Sequence, residues 1–154
     1  MSLSVDIEKT LGAFHLKAAF ETDGGILGLL GASGCGKSMT LKCIAGIETP
    51  DKGRIVLNGV TLFDSEKRIN VPPQKRQVGY LFQNYALFPN MTVRQNILCG
   101  LRHVKDRKEK EERLAHAVEL MKIGELQNHK PYQLSGGQAQ RTALARILVS
   151  DPQV

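Results

Sequence analysis

Leu3, Val5 and Ile7 alternate with polar neighbours, and the same two-residue period returns at Phe14, Leu16 and Ala18. The chain therefore opens with two antiparallel strands joined around Gly12. Residues 26–30 are apolar throughout and read as a buried strand. Residues 39–45 follow as a helix stopped by Gly46, a residue suited to the left-handed conformation at helix ends. Residues 54–57 and 60–63 flank Asn58-Gly59, the pair that fits a type I′ hairpin turn. Pro72-Pro73 breaks the chain, and residues 78–82 read as a second buried strand ending at Gln83.

The second half is helical. Thr92-x-x-Gln95 is a capping box opening a helix to about Leu101, and Leu114, Val118 and Met121 form an apolar stripe at helical spacing that stops near Gly124. Ser135-x-x-Gln138 is a further capping box, opening a helix through Ala143, Leu144 and Leu148 that Asp151-Pro152 ends. No internal repeat or low-complexity linker interrupts this order. The fold class that follows is α/β, with hairpins and a parallel α/β unit first and helices after.

Composition bounds the reading. At 154 residues, 42% hydrophobic and 23% charged, the chain has room for one globular domain with a real core. No apolar stretch approaches the roughly eighteen residues that cross a bilayer, and no signal-peptide pattern opens the chain, so a cytoplasmic location is expected. Cys35, Cys43 and Cys99 match neither a zinc site nor a disulfide framework. Cys35 lies at a helix start beside Lys37, which favours the thiolate and makes it an expected alkylation site. The net charge of +6 does not imply nucleic acid: residues 105–113 mix both signs as a solvated helix face does, and a polyphosphate site or an anionic membrane surface accounts for the excess.

Two motifs carry chemistry. Gly31, Ala32, Ser33, Gly34, Cys35, Gly36, Lys37 and Ser38 spell G-x-x-x-x-G-K-[ST]. Between a strand and a helix, such a loop aims main-chain N–H groups at phosphate oxygens. Lys37 then bridges the β- and γ-phosphates, Ser38 holds Mg²⁺, and Met39 completes the ATP-binding set. With Gly near 7% of residues, chance gives this pattern in a chain of this length about once in two hundred. The second motif is Leu134-Ser135-Gly136-Gly137-Gln138, a helix N-terminus with a double glycine that weakens the helix unless something needs close backbone approach.

The order of residues 31–38, then Gln83, then residues 134–138 followed by Gln140-Arg141, resembles the ATP-binding subunit of ABC transporters over nearly the whole chain. The resemblance implies a P-loop NTPase core with an N-terminal antiparallel β subdomain and a helical insertion: residues 1–83 as β subdomain and core, 84–134 as helical subdomain, 135–150 as signature helix. It implies that Ser135, Gly136, Gly137 and Gln138 close on the ATP of a second subunit in a homodimer. It also implies that Gln83 gives an oxygen to Mg²⁺ or to the attacking water. Residues 84–89 are similar to the surface that docks a permease subunit, with Tyr85, Leu87 and Phe88 as an exposed socket or, alternatively, as local packing. Residues 71–97 look like importers of the maltose, sulfate and molybdate type, and residues 54–63 look most like the molybdate type. The implied function is ATP hydrolysis powering import of molybdate or a related solute, peripheral to the inner face of the membrane. Nothing in an ATPase domain touches the solute, so other oxyanions, sugars and polyamines stay open. A soluble ABC ATPase of DNA repair or translation, and a non-hydrolysing nucleotide-binding fragment, are the alternatives.

The family pattern is departed from in two places. Its adenine-stacking aromatic is replaced by Leu11, with Phe14 three residues on, and either residue would cover the base. The strand ending in Asp-Glu (Walker B), which carries the catalytic glutamate, and the switch histidine would follow Val154. No catalytic residue is therefore expected within these residues, and His15, His103, His116 and His129 read as surface or capping groups. The sheet is expected to be incomplete, with a gap between strands 26–30 and 78–82 that rearrangement or borrowed strands would fill.

Overall fold

Alternation at the N-terminus becomes the hairpin of β1 (Leu3–Leu11) and β2 (Phe14–Thr22), paired from Leu3↔Thr22 to Leu11↔Phe14. The Asn58-Gly59 pair, with φ of 49° and 78°, makes the tight turn between β3 (Lys52–Leu57) and β4 (Val60–Asp64). β5 (Ile69–Asn70) completes a wholly antiparallel sheet of order β2-β1-β3-β4-β5. Register slips between Ile55 and Val56, so Leu62 is an extra residue on β4. That bulge explains why the sequence neighbours Leu62 and Phe63 are both buried. Leu3, Val5, Ile7, Ile55, Leu57, Leu62 and Phe63 form one core with Cys43 and Ile44 of α1 (Lys37–Ala45). Each fully buried aliphatic there contributes roughly 2 kcal/mol by transfer from water.

The computed structural model describes residues 2–154 in two units: one runs through Val78 and includes Gln153, the other is Gly79–Pro152 with Val154. The second unit is built on α2 (Val93–Leu98), α3 (Arg107–Leu120) and α4 (Gly136–Leu148), with Val93, Ile97, Leu101, Leu114, Val118 and Ala145 at its centre. Both capping boxes form as expected, at Thr92/Gln95 and at Ser135/Gln138. The helix expected to reach Leu101 tightens into a 3-10 turn at Cys99–Leu101. The mixed charges of residues 105–113 form i,i+4 pairs such as Arg113–Glu109 at 2.7 Å, and Arg94 reaches across to Glu111 at 2.6 Å. α3 stops before Gly124: the left-handed residue after it is Lys122, with φ of 53°.

One expectation is overturned. Residues 26–30 and 78–82 are not strands: neither stretch belongs to a sheet, and Ile26 and Leu30 are 102% and 97% exposed. An extended segment becomes a strand only when a neighbour takes its N–H and C=O groups, and every strand among the described residues lies between Leu3 and Asn70. The expected parallel α/β unit is therefore reduced to its loop and helix, and the two segments do not rearrange into the sheet. In this chain, amides of residues 27–30 are expected to exchange within about tenfold of unprotected rates, while those of β1 are slower by several orders of magnitude. Hydrogen–deuterium exchange by mass spectrometry reads this, and strand-level protection at residues 27–30 would contradict it.

Candidate functional site

The glycine-rich loop turns through residues 31–36 into α1, with Gly36 as N-cap at φ 100°. A Cβ at Gly36 would sit 2.6 Å from Leu16 Cδ1 and 3.2 Å from Phe14 Cζ, so it would strain a left-handed backbone and push those side-chain tips aside. No side chain caps the first turn of α1 and no acidic residue lies in it. Its N–H groups and positive dipole end are thus left to an anion. The Lys37 ammonium folds back over the loop, donating to Gly31 O at 2.8 Å and Ala32 O at 2.7 Å, and lies 3.4 Å from Cys35 Sγ. Thr40, buried beneath, donates its hydroxyl to Gly36 O at 3.1 Å and holds the turn. Ser38 is exposed on the first turn of α1 and Met39 is half-buried behind it.

The hairpin tip lies beside this loop. Phe14 packs on Gly36, and its strand partner Leu11 is 44% exposed. Asp51 accepts the Thr10 amide at 2.7 Å and the Lys9 ammonium at 3.1 Å, which holds its carboxyl below the usual 3.8 and pins the strand just before the tip.

The opposite end of α1 has a residue that sequence reasoning missed. Arg76, only 2% exposed, donates to Cys43 O and Ile44 O at 2.8 and 2.9 Å, to Val71 O at 2.7 Å, and to Asn70 Oδ1 at 2.9 Å. A cation at a helix C-terminus meets the negative end of the dipole. Burial lowers its pKa from the usual value, as desolvation does to any cation. In sequence it is one of two basic residues after a proline pair, with no local signal of its role.

The thiols divide as burial dictates. Cys35 is exposed, whereas Cys43 is buried and its pKa is pushed up to about 11. Iodoacetamide is therefore expected to modify Cys35 and spare Cys43, and Mg-ATP to slow labelling of Cys35 severalfold. Peptide mapping checks both, and equal Cys35 rates with and without nucleotide would remove it from the phosphate loop.

In the second unit, Ser135 Oγ accepts the Gln138 amide at 3.3 Å and Gln138 Oε1 accepts the Ser135 amide at 2.8 Å. A Cβ at Gly136 or Gly137 would meet nothing within 4 Å. Packing within this chain gives no reason for a pair that costs a helix about 1 kcal/mol each relative to Ala. Gln83, expected at a strand end, lies instead in an exposed turn. Of the expected exposed socket, Phe88 is 42% exposed, but Tyr85 and Leu87 are half-buried. Phe82, Ala86, Phe88 and Gly100 line a cavity of about 390 Å³. Asn96, fully buried on α2, accepts the Phe88 amide at 2.8 Å and donates to Phe88 O and Met91 O at 3.2 Å, fixing the floor of that region; its position in a helix gave no hint of it.

The family model for ABC transporters matches residues 20–154. The chain is 42% identical over 150 residues to a molybdenum import ATP-binding protein, ModC, of Brucella melitensis, covering 97% of this chain and 41% of that protein. It is 48% identical over 154 residues to a trehalose/maltose import ATP-binding protein, MalK, of Thermococcus litoralis, again covering 97% and 41%. The chain thus spans about two fifths of the length of these relatives. Among solved structures it is similar to the ATP-binding cassette MJ0796 in a dimeric post-hydrolysis state bound to ADP and Pi, with a TM-score of 0.72, 26% identity, and coverage of 99% of this chain and 71% of that one.

Proposed function

The chain belongs to the ABC transporter family, and from that premise we propose that it binds ATP at residues 31–39 and serves as part of the motor of a solute importer. The observation that carries this reading is the start of α1: uncapped, free of acidic residues, wrapped by a loop whose left-handed Gly36 disfavours any side chain, with Lys37 poised over it. Ser38 is the residue beside the loop that would hold Mg²⁺, which when bound neutralises charge on the β- and γ-phosphates. Leu11 and Phe14 cover the adenine by apolar contact; without an aromatic face at position 11 the base is held about 1 kcal/mol less tightly. Lys37 gives up its carbonyl contacts for phosphate oxygens, exchanging neutral acceptors for charged ones.

Ser135 and the exposed Gly136 and Gly137 offer a second anion-accepting helix start to the nucleotide of a twin chain, which supplies the reason for glycines that this chain's own packing does not. Hydrolysis, docking to a permease through the cavity beside Phe88, and a peripheral position at the membrane are assigned to the whole protein. No helix among the described residues is long and apolar enough to cross a membrane. The molybdate class is favoured by the resemblance of residues 54–63, with the maltose class as the competing solute, since relatives of each kind are of similar identity.

Titration with a fluorescent ATP analogue tests the site. ATP and ADP are expected to displace it, and AMP to bind at least about tenfold more weakly, because it lacks the β-phosphate that the loop amides and Lys37 grip. Equal displacement by AMP would remove the assignment. For the solute, ATPase activity of the whole protein with its permease should rise with molybdate-loaded binding protein and not with the maltose-loaded one.

A further inference from the structure

β1 pairs with β3 only as far as Glu8↔Lys52, whereas its ladder with β2 runs on to Leu11↔Phe14. The end of the hairpin therefore projects from the sheet as a two-stranded ribbon, which by itself is at best marginally stable in water. In the register of β1 with β3, Thr10 would next face Pro50, but β3 begins only at Lys52 and the ladder has run out. Asp51 takes over at that point. Its amide donates to Glu8 O at 2.9 Å, one carboxylate oxygen accepts the Thr10 amide at 2.7 Å, and the other accepts the Lys9 ammonium at 3.1 Å. The carboxylate thus stands in for the carbonyl that a third strand would offer to Thr10. Across the ribbon, Thr10 Oγ1 and His15 Nδ1 lie 3.1 Å apart, so the latch on Thr10 reaches both strands. On the ribbon's other face Phe14 and Leu16 lie against Gly36, and Leu11 is the residue next to the latched Thr10. All of these residues belong to one unit.

From this geometry we infer that Asp51 is a positioning residue for the base: by holding Thr10 it sets where Leu11 and Phe14 stand beside the phosphate loop, and so governs the grip on the nucleoside part of ATP without touching the nucleotide. The Asp51 side chain is 46% exposed, and ion pairs so open to water add little to folding, so its effect falls on the place of the ribbon and not on the sheet. Its field works in the opposite direction. A negative charge repels a polyphosphate, so removing it through the field alone would strengthen binding of every such anion, whereas loss of position weakens only a ligand that carries a base. The inference rests on the nucleotide reading for its functional half and on the contacts alone for its structural half.

Asp51→Ala, Asp51→Asn and Leu11→Ala test it, with ATP and inorganic tripolyphosphate as the two ligands. Tripolyphosphate fills the phosphate loop and has no base. In Asp51→Ala, ATP affinity is expected to fall about fivefold and tripolyphosphate affinity to stay within about twofold. Amides of residues 10–14 should exchange about tenfold faster or more, with those of residues 3–7 unchanged. Asp51→Asn keeps an oxygen for the Thr10 amide and should hold ATP affinity within about twofold of the parent. Leu11→Ala should also weaken ATP alone, and the double variant Leu11→Ala/Asp51→Ala should lose no more than the larger single loss. Equal losses for both ligands, unchanged ATP affinity in Asp51→Ala, an Asn variant as weak as the Ala one, or additive losses would overturn the inference. If Asp51→Ala does not fold, Asp51→Glu decides by the same two ligands, since it keeps the charge beside Lys9 but is one methylene too long for the Thr10 contact. Failure of the unmodified chain to bind either ligand strikes the nucleotide reading instead, and the exchange rates of residues 10–14 then decide whether the latch exists.

Discussion

Lys37→Ala is expected to weaken ATP binding by about a hundredfold or more while leaving the β-sheet unit folded. The ammonium is hydrogen-bonded within the loop itself, reaching both Gly31 O and Ala32 O. Against a triphosphate it makes charge-assisted hydrogen bonds, each worth about 1.5–3 kcal/mol, and two of them correspond to a loss of about two to four orders of magnitude in affinity. Loss of its carbonyl contacts loosens the loop as well, which adds to the loss in binding without touching the core of Val5, Ile7 and Ile55. Calorimetric titration with Mg-ATP, beside a circular dichroism melt, separates the two effects. Affinity unchanged within about twofold would mean that the phosphate does not sit at this helix start.

The largest stability effect is expected at Arg76. Replacing it by Met, of similar length and apolar, removes the donor of Ile44 O, Val71 O and Asn70 Oδ1 and leaves Cys43 O with the Gly46 amide alone, at a side chain that is 2% exposed. Unsatisfied buried acceptors cost about 1–3 kcal/mol each, and removing one partner of a buried charged network costs about 3–5 kcal/mol in total. Against the 5–15 kcal/mol typical of a domain, that is a large fraction of the total stability. Urea titration should show a midpoint displaced to lower denaturant with little change in slope. Arg76→Lys is expected to recover part of the loss, since an ammonium still faces the helix C-terminus but cannot span three directions in one plane. A Met variant within about 0.5 kcal/mol of the parent would show that these contacts are incidental. The same substitution should also weaken nucleotide binding, because the helix whose far end it frees is the one whose uncapped start is proposed to meet the phosphates.

Legibility followed the range of each interaction. Asn58-Gly59, the Thr92 and Ser135 capping boxes and the Gly46 stop are settled within three or four residues, and all appear where periodicity and end signals put them. Residues 31–38 belong with these, since the loop and α1 form even though the strand expected before them does not. Residues 26–30 and 78–82 were misread because an apolar run states only that a segment suits burial in a sheet; a ladder partner is a separate requirement. Between an exposed socket and local packing at Tyr85 and Leu87 the sequence leaves both open, because nothing near Tyr85 announces that Arg146 takes its carbonyl.

The sequence by itself determined the glycine-rich loop before α1, the glycine-bearing helix start at Ser135 and the two hairpins, because each depends on backbone conformations and hydrogen bonds made among near neighbours. Only the tertiary structure decided that Arg76 closes the end of α1, that Asn96 and Arg146 hold the segment from Tyr85 to Met91, and that two apolar stretches lie outside the sheet. An arginine looks the same in sequence whether its fork meets water or distant carbonyls, and a strand exists only with a neighbour; both are properties of what the fold brings close.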